Sequence, residues 1–124
     1  KPNRTPHDYL SRDHGRVDSY VEDELCGFPK TTQMWLDLKS GFTGLWTKKS
    51  YKEIDPETRV LVVTGDKDPI NNNGKQAENI HNSFVDIGLN SEIEVYPEMR
   101  HEPLNEIGRE EVFKRMENFL SKQF

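Results

Sequence analysis

The chain has 124 residues, 32% of them hydrophobic and 31% charged, with a formal net charge of −5 and a mean hydropathy of −0.91. That is enough for one domain of ordinary size but poor in the apolar residues such a domain needs for its own core. The interspersed charges leave no basic patch to argue for nucleic acid, no apolar run approaches the roughly 18 residues of a membrane span, and six Phe, four Tyr and two Trp argue against disorder.

Residues 1–15 are polar and read as irregular, with two prolines and the turn-prone Asp13-His14-Gly15. Their start, Lys1-Pro2-Asn3-Arg4-Thr5-Pro6, has neither an initiator Met nor an apolar signal region, so the sequence is expected to begin inside a longer protein. The spacing of Val17, Tyr20 and Val21 predicts a short helix over 16–25, stopped by Gly27-Phe28-Pro29. Cys26 is the single cysteine, which excludes an intrachain disulfide and makes a reducing, cytoplasmic setting the default.

Thr31 is a suitable N-cap for a helix to about Ser40, continuing loosely to Trp46. Trp35, Leu38, Phe42 and Leu45 then share one side, which serves either as core packing or as an apolar wall presented to a substrate chain. In the second reading Trp35 and Phe42 are the substrate-binding candidates. Residues 47–58 are polar, and Asp55-Pro56-Glu57-Thr58 reads as a turn.

From Arg59 the pattern sharpens. Residues 59–64 are apolar on both faces, as a buried parallel strand requires. A helix is predicted over about 75–87, with Ala77, Ile80, Phe84, Val85 and Ile87 on its apolar face and Gly88 at its C-terminal cap. A strand over 92–96 follows, then a final helix over about 109–122 that should bury Val112, Phe113, Met116, Phe119 and Leu120. Strand, helix, strand and helix make a βαβ unit with one more covering helix. Two parallel strands are too few for a self-sufficient sheet. Exposed apolar surface is therefore expected around strand 59–64, or a partner chain or second copy covering it.

Each strand ends in a turn that carries a chemically useful residue. The first run leads to Gly65-Asp66-Lys67-Asp68-Pro69 and the second to Tyr96-Pro97-Glu98-Met99-Arg100-His101-Glu102. A carboxylate and an imidazole delivered to one edge of a sheet are the acid and base of a Ser-His-Asp triad. In that role Asp68 accepts the ring N–H of His101, and His101 is the general base. Asp68 alone would be an ordinary Asx-turn aspartate. Asp66 ranks second because it directly follows the strand end. His7, His14 and His81 read as surface histidines. No Gly-x-Ser-x-Gly elbow occurs, so no nucleophile is expected in this chain. Cys26 has no strand before it to build an elbow and reads as structural. Zinc is set aside, because His101-Glu102 lacks the second histidine of His-Glu-x-x-His and Pro103 would spoil the helix. No metal site and no cofactor are expected.

Gly65-Asp66-Lys67-Asp68-Pro69-Ile70, followed by Tyr96 to Glu102 and by Leu104-Asn105-Glu106, resembles the C-terminal part of bacterial α/β-hydrolases of the lysophospholipase and monoacylglycerol-lipase-like group, the serine aminopeptidase superfamily. Arg4-Thr5-Pro6 with Leu10-Ser11-Arg12-Asp13, and Val17-Asp18 through Leu25-Cys26-Gly27-Phe28, resemble the segment in or after the cap of that group. The resemblance implies a C-terminal portion of an α/β-hydrolase fold. It would have two parallel strands with flanking helices, residues 1–50 being a cap-derived connecting segment and 51–124 the βαβα part of the core. It implies Asp68 and His101 as triad acid and base, and a lysophospholipid, monoacylglycerol or other small ester as substrate. The serine elbow and the oxyanion hole would lie in a missing N-terminal half. Glu98 stands where the family pattern leads one to expect glycine. Two other readings compete. One is a Mg²⁺-dependent phosphotransferase of the haloacid dehalogenase type using Asp66 and Asp68, against which Pro69-Ile70 counts. The other is a non-catalytic interaction module.

Overall fold

A computed structural model describes residues 3–121. Helix α1 (His14–Glu22) is capped by the Asp13 carboxylate, which accepts from the Gly15 and Arg16 amides. Its start two residues ahead of the predicted one follows from that cap, and Val17 is its buried residue. Helix α2 (Thr32–Phe42) begins as predicted at Thr31, whose hydroxyl accepts from the Met34 amide. None of its residues is buried. A single turn, α3 (Lys48–Tyr51), then occurs where the sequence read as irregular. A reciprocal capping box between Thr47 and Ser50 forms it, a polar device that hydrophobic periodicity does not register.

Strand β1 (Arg59–Gly65) and strand β2 (Asn90–Tyr96) pair in parallel, from Arg59 opposite Asn90 to Gly65 opposite Tyr96. Helix α4 (Lys75–Asp86) makes the crossover between them, and Gly88 follows it at φ +89°. Helix α5 (Arg109–Leu120) closes the unit. The two strands hydrogen-bond only to each other, leaving their outer edges unpaired among the described residues.

The core is small. Tyr96, Met99 and Val112 are buried together, with Val63 and Met116 packed against them. Val112 and Phe119 of α5 are buried as the periodicity predicts, whereas Phe113 and Leu120 are about half exposed, at 48% and 52%. They line, with Leu104 and Met116, an apolar groove of about 480 Å³ that continues the inner face of α5. A larger cavity of about 540 Å³ lies between β1, α3 and α4, lined by Val62, Ala77, Ile80, Tyr51 and Trp46. No residue of β1 from Arg59 to Val63 is fully buried. Exposed apolar surface beside β1 is what two strands without neighbours should show.

Between β2 and α5 ion pairs add to the apolar contact. Arg115 reaches Glu92 at 2.6 Å and Glu94 at 2.9 Å, and Arg59 reaches Glu92 at 2.9 Å. Both guanidinium groups sit over the Phe119 ring. Hydrogen bonds from Arg115 first, then from Arg59, hold the Glu92 carboxyl below its ordinary pKa of 4.5. A carboxylate with a depressed folded-state pKa contributes its stability above the unfolded value and loses it as pH falls through the folded one. Melting temperature is therefore expected to fall on acidification below about pH 4.5. Glu92→Gln should flatten that part of the profile, and an unchanged slope in thermal melts would remove Glu92 as its source.

Candidate active site

Gly65 ends β1 where the loop after β2 crosses it. A Cβ on Gly65 would lie 2.1 Å from the Met99 carbonyl oxygen and 2.6 Å from that of Arg100, so only glycine fits. Three bonds donated by main-chain amides then lock the two strand-end loops together. The Asp66 amide donates to the Tyr96 carbonyl (3.0 Å), the Lys67 amide to the Met99 carbonyl (2.9 Å), and the Glu98 amide to Asp66 Oδ1 (2.6 Å).

This close approach delivers His101 to Asp68. His101 Nδ1 lies 2.9 Å from Asp68 Oδ2. The other carboxylate oxygen of Asp68 accepts from the Ile70 amide at 2.8 Å. Asp68 is therefore both an Asx-turn residue and the partner of the imidazole, one oxygen for each. It is 2% exposed, while the His101 side chain is 40% exposed. An ionised carboxylate only accepts, so Nδ1 carries the proton between them, and Nε2 is unpartnered among the described residues. Asp66 is occupied differently: it accepts from the Glu98 amide and meets Lys67 Nζ at 3.3 Å.

Glu98 adopts φ +62°, the left-handed conformation that favours glycine. The expectation of glycine there thus has a backbone reason. Relief of that conformation, about 1 kcal/mol, outweighs the entropy that glycine adds to the unfolded chain. Glu98→Gly should raise the midpoint of chemical unfolding slightly, and a fall of more than 1 kcal/mol would show that the Glu98–Lys67 contact at 3.4 Å matters more than the backbone.

The N-terminal segment holds the histidine loop from the other side. The His101 and Glu102 amides donate to the Tyr9 and Leu10 carbonyls at 3.2 and 2.9 Å. Arg100 Nη1 donates to the Asp8 and Ser11 carbonyls, and Ser11 Oγ donates to the Asn105 carbonyl at 2.9 Å. Asp8 is itself fixed by the Thr5 hydroxyl at 2.7 Å, the main reason its pKa lies below the ordinary value. Beneath these contacts lies Glu106, fully buried at 0% exposure. Its carboxylate accepts from the Arg12 and Arg100 amides at 2.9 Å each, from Arg12 Nε at 3.0 Å and from the Ile107 amide at 2.9 Å. Leu10-Ser11-Arg12-Asp13 and Glu106 share in the family resemblance, and the fold gives them this joint role. Their pairing spans 94 residues and has no local signature.

Three further candidates remain. Trp35 and Phe42 are on α2, 57% and 48% exposed. They line neither cavity, and among the described residues no hydrogen bond or ring pairing joins them to His101 or Asp68. Cys26 is half-buried, and burial first, then the Asp23 carboxylate, pushes its thiol above the ordinary pKa, the reverse of an activated nucleophile. The histidines read as surface residues are partly otherwise. His81 Nδ1 lies 2.9 Å from Ser91 Oγ on β2, and the His7 ring packs 5.1 Å from Tyr20 with its Nδ1 buried and unpartnered.

A parallel βαβ unit with an aspartate beyond one strand and a histidine beyond the next is the C-terminal portion of an α/β-hydrolase fold. One matching solved structure is a highly thermostable carboxyl esterase from Bacillus coagulans in complex with glycerol, with a TM-score of 0.88 at 22% identity. The match covers 98% of this chain and 40% of that one, so the chain spans less than half the length of that esterase. No curated protein matches in sequence. The profile of the serine aminopeptidase S33 family matches residues 1–108, and the chain belongs to that family.

Proposed function

We propose that this chain is the C-terminal part of a serine hydrolase of carboxylic esters, supplying the Asp and His of its triad. The observation that carries the reading is the 2.9 Å contact between the exposed His101 imidazole and the buried Asp68 carboxylate. Asp68 keeps the Nδ1–H tautomer and stabilises the imidazolium that forms in turnover. His101 Nε2 takes the proton of a serine hydroxyl as that oxygen attacks the ester carbonyl, and returns it to the departing alkoxide. Water then repeats the sequence on the acyl-enzyme. The nucleophile belongs to sequence outside these 124 residues, in which no elbow occurs.

The family supports a hydrolase. The resemblance of the strand-end motifs supports a single-chain substrate of monoacylglycerol or lysophospholipid type. A phosphotransferase reading has less behind it, since Asp66 and Asp68 are bound to different partners. Trp35 and Phe42, exposed on α2, are the candidates for lining the path of the acyl chain.

Labelling the protein with a fluorophosphonate tests the reading, with the modified peptide identified by mass. The expected label sits on a serine outside this sequence and is lost when His101 is replaced. A label on a serine within the 124 residues, or none on any hydrolytically active preparation, would overturn it.

A further inference from the structure

Asp68 holds the His101 ring at one atom only. The 2.9 Å contact fixes where Nδ1 lies, but a single hydrogen bond leaves the ring free to rock about it. The atom that such rocking displaces is Nε2, across the ring. Proton transfer needs Nε2 within hydrogen-bond reach of a serine hydroxyl, so something else has to set the plane of the imidazole. No second hydrogen bond does so, since Nε2 is unpartnered among the described residues.

The Tyr9 ring supplies a face. Its centroid lies 6.1 Å from that of His101, with the two planes inclined by 52°, a separation and tilt at which aromatic rings attract each other. The Tyr9 carbonyl also accepts from the His101 amide at 3.2 Å, so one residue grips His101 by backbone and by ring. Tyr9 is itself backed by two further rings. His7 lies 6.3 Å from it, and Tyr20 of α1 lies 5.1 Å from His7. Asp8, between His7 and Tyr9, is buried and bound by the Thr5 hydroxyl, which pins the short stretch of backbone that carries both rings. A row of four rings thus runs from α1 to His101. No hydrogen bond engages the Tyr9 hydroxyl among the described residues, and burial first of all pushes its pKa above the ordinary 10.0. The ring meets the imidazole as a neutral aromatic face and not as an acid or base. All of these groups belong to this chain.

We infer that Tyr9 is a positioning residue for His101, its ring fixing the plane of the imidazole and with it the direction in which Nε2 points. This rests on the hydrolase reading and adds to it a residue that acts through the base alone.

The test compares Tyr9→Phe, Tyr9→Leu and Tyr9→Met in the full-length enzyme, with circular dichroism as the check of folding. The Leu and Met variants both keep the backbone bond and much of the packing while removing the ring, and either one suffices if the other does not fold. On a short-chain ester, kcat should fall about tenfold in these two with KM changed by less than about twofold, and Tyr9→Phe should match the wild type. A second readout needs no turnover. The NMR resonance of the Nδ1 proton shared with Asp68 should be sharp in the wild type and in Tyr9→Phe, and broadened by exchange with water in the Leu and Met variants. His101→Ala, measured alongside, separates the two ideas. If it still hydrolyses ester, the hydrolase reading falls and takes this inference with it. If it is inactive while the Leu and Met variants keep both the wild-type rate and the sharp resonance, this inference alone falls. A raised KM with kcat retained would also overturn it, because Tyr9 would then line the substrate site. So would a loss in Tyr9→Phe equal to that in Tyr9→Leu, which would assign the effect to the hydroxyl.

Discussion

Replacing His101 by alanine is expected to abolish ester hydrolysis by the protein that joins this chain to its nucleophile. The loss should be about 10⁴-fold or more in kcat, with KM little changed, because the imidazole moves protons in the transition state and binds little of the ground state. Asp68→Asn is the sharper test. The amide keeps the size of the side chain but can donate where the carboxylate only accepts, so the ring turns to its other tautomer and Nε2 holds a proton when it should be free. A fall of about 10³- to 10⁴-fold follows. Steady-state rates on a short-chain ester, for the wild type, the two single variants and the double variant, decide it. The double variant should be no worse than His101→Ala, since both residues serve one proton transfer. Asp66→Asn should leave the chemical step standing, because Asp66 is tied to the Glu98 amide and not to the imidazole. Activity that survived His101→Ala within tenfold would end the assignment.

The second large effect concerns stability. Glu106 is fully buried and accepts from the Arg12 and Arg100 amides, Arg12 Nε and the Ile107 amide. Those donors come from the N-terminal segment, the histidine loop and the approach to α5, so one carboxylate joins three stretches of chain. Truncation to alanine would leave them facing a dry void. Breaking a buried pair by removing one partner costs about 3–5 kcal/mol. Against a total stability of about 5–15 kcal/mol for an ordinary domain that is a large share, and Glu106→Ala should lower the urea midpoint markedly. Glu106→Gln keeps the volume and one acceptor oxygen but turns an N–H₂ toward groups that also donate. It should cost about 2 kcal/mol. A loss below 1 kcal/mol for the alanine variant would mean that water or rearranged carbonyls replace the carboxylate.

Glu106 also bears on the site. Its bond to the Arg100 amide fixes the residue beside His101, and the adjoining Tyr9 and Leu10 carbonyls hold the His101 and Glu102 amides. Truncating Glu106 should therefore impair the triad even where the chain still folds, through the geometry of the histidine loop and not through its chemistry.

The parts legible in the sequence are those governed by short-range regularities. The apolar run ending at Gly65, the periodicity of Ala77, Ile80 and Phe84, and that of Val112, Met116 and Phe119 each indicate an element and its inner face. Burial at a fixed period leaves a fixed mark on composition. Turn chemistry is local as well, so both strand ends and their cargo of Asp68 and His101 could be located. Elements held by polar devices were less visible: α3 rests on the Thr47–Ser50 capping box, and residues 3–13 look irregular because much of their order comes from hydrogen bonds to the distant histidine loop and Glu106.

What the sequence determined by itself was therefore the order of elements, the parallel crossover and the two residue types offered at the sheet edge. Loop position already ranks Asp68 above Asp66, but only the tertiary structure supplies the contact and its reason. Asp66 and Asp68 are two residues apart and chemically equal, and the choice follows from the glycine contact at Gly65, which brings the Met99 carbonyl against the backbone and turns Asp66 toward the Glu98 amide. Only the tertiary structure, too, separated the faces of the helices. Phe113 and Val112 are adjacent and both apolar, yet one is 48% exposed and the other 0%. Hydrophobicity states that a side chain gains by leaving water; which side chains find something to leave it for depends on the elements packed beside them, and here those are few.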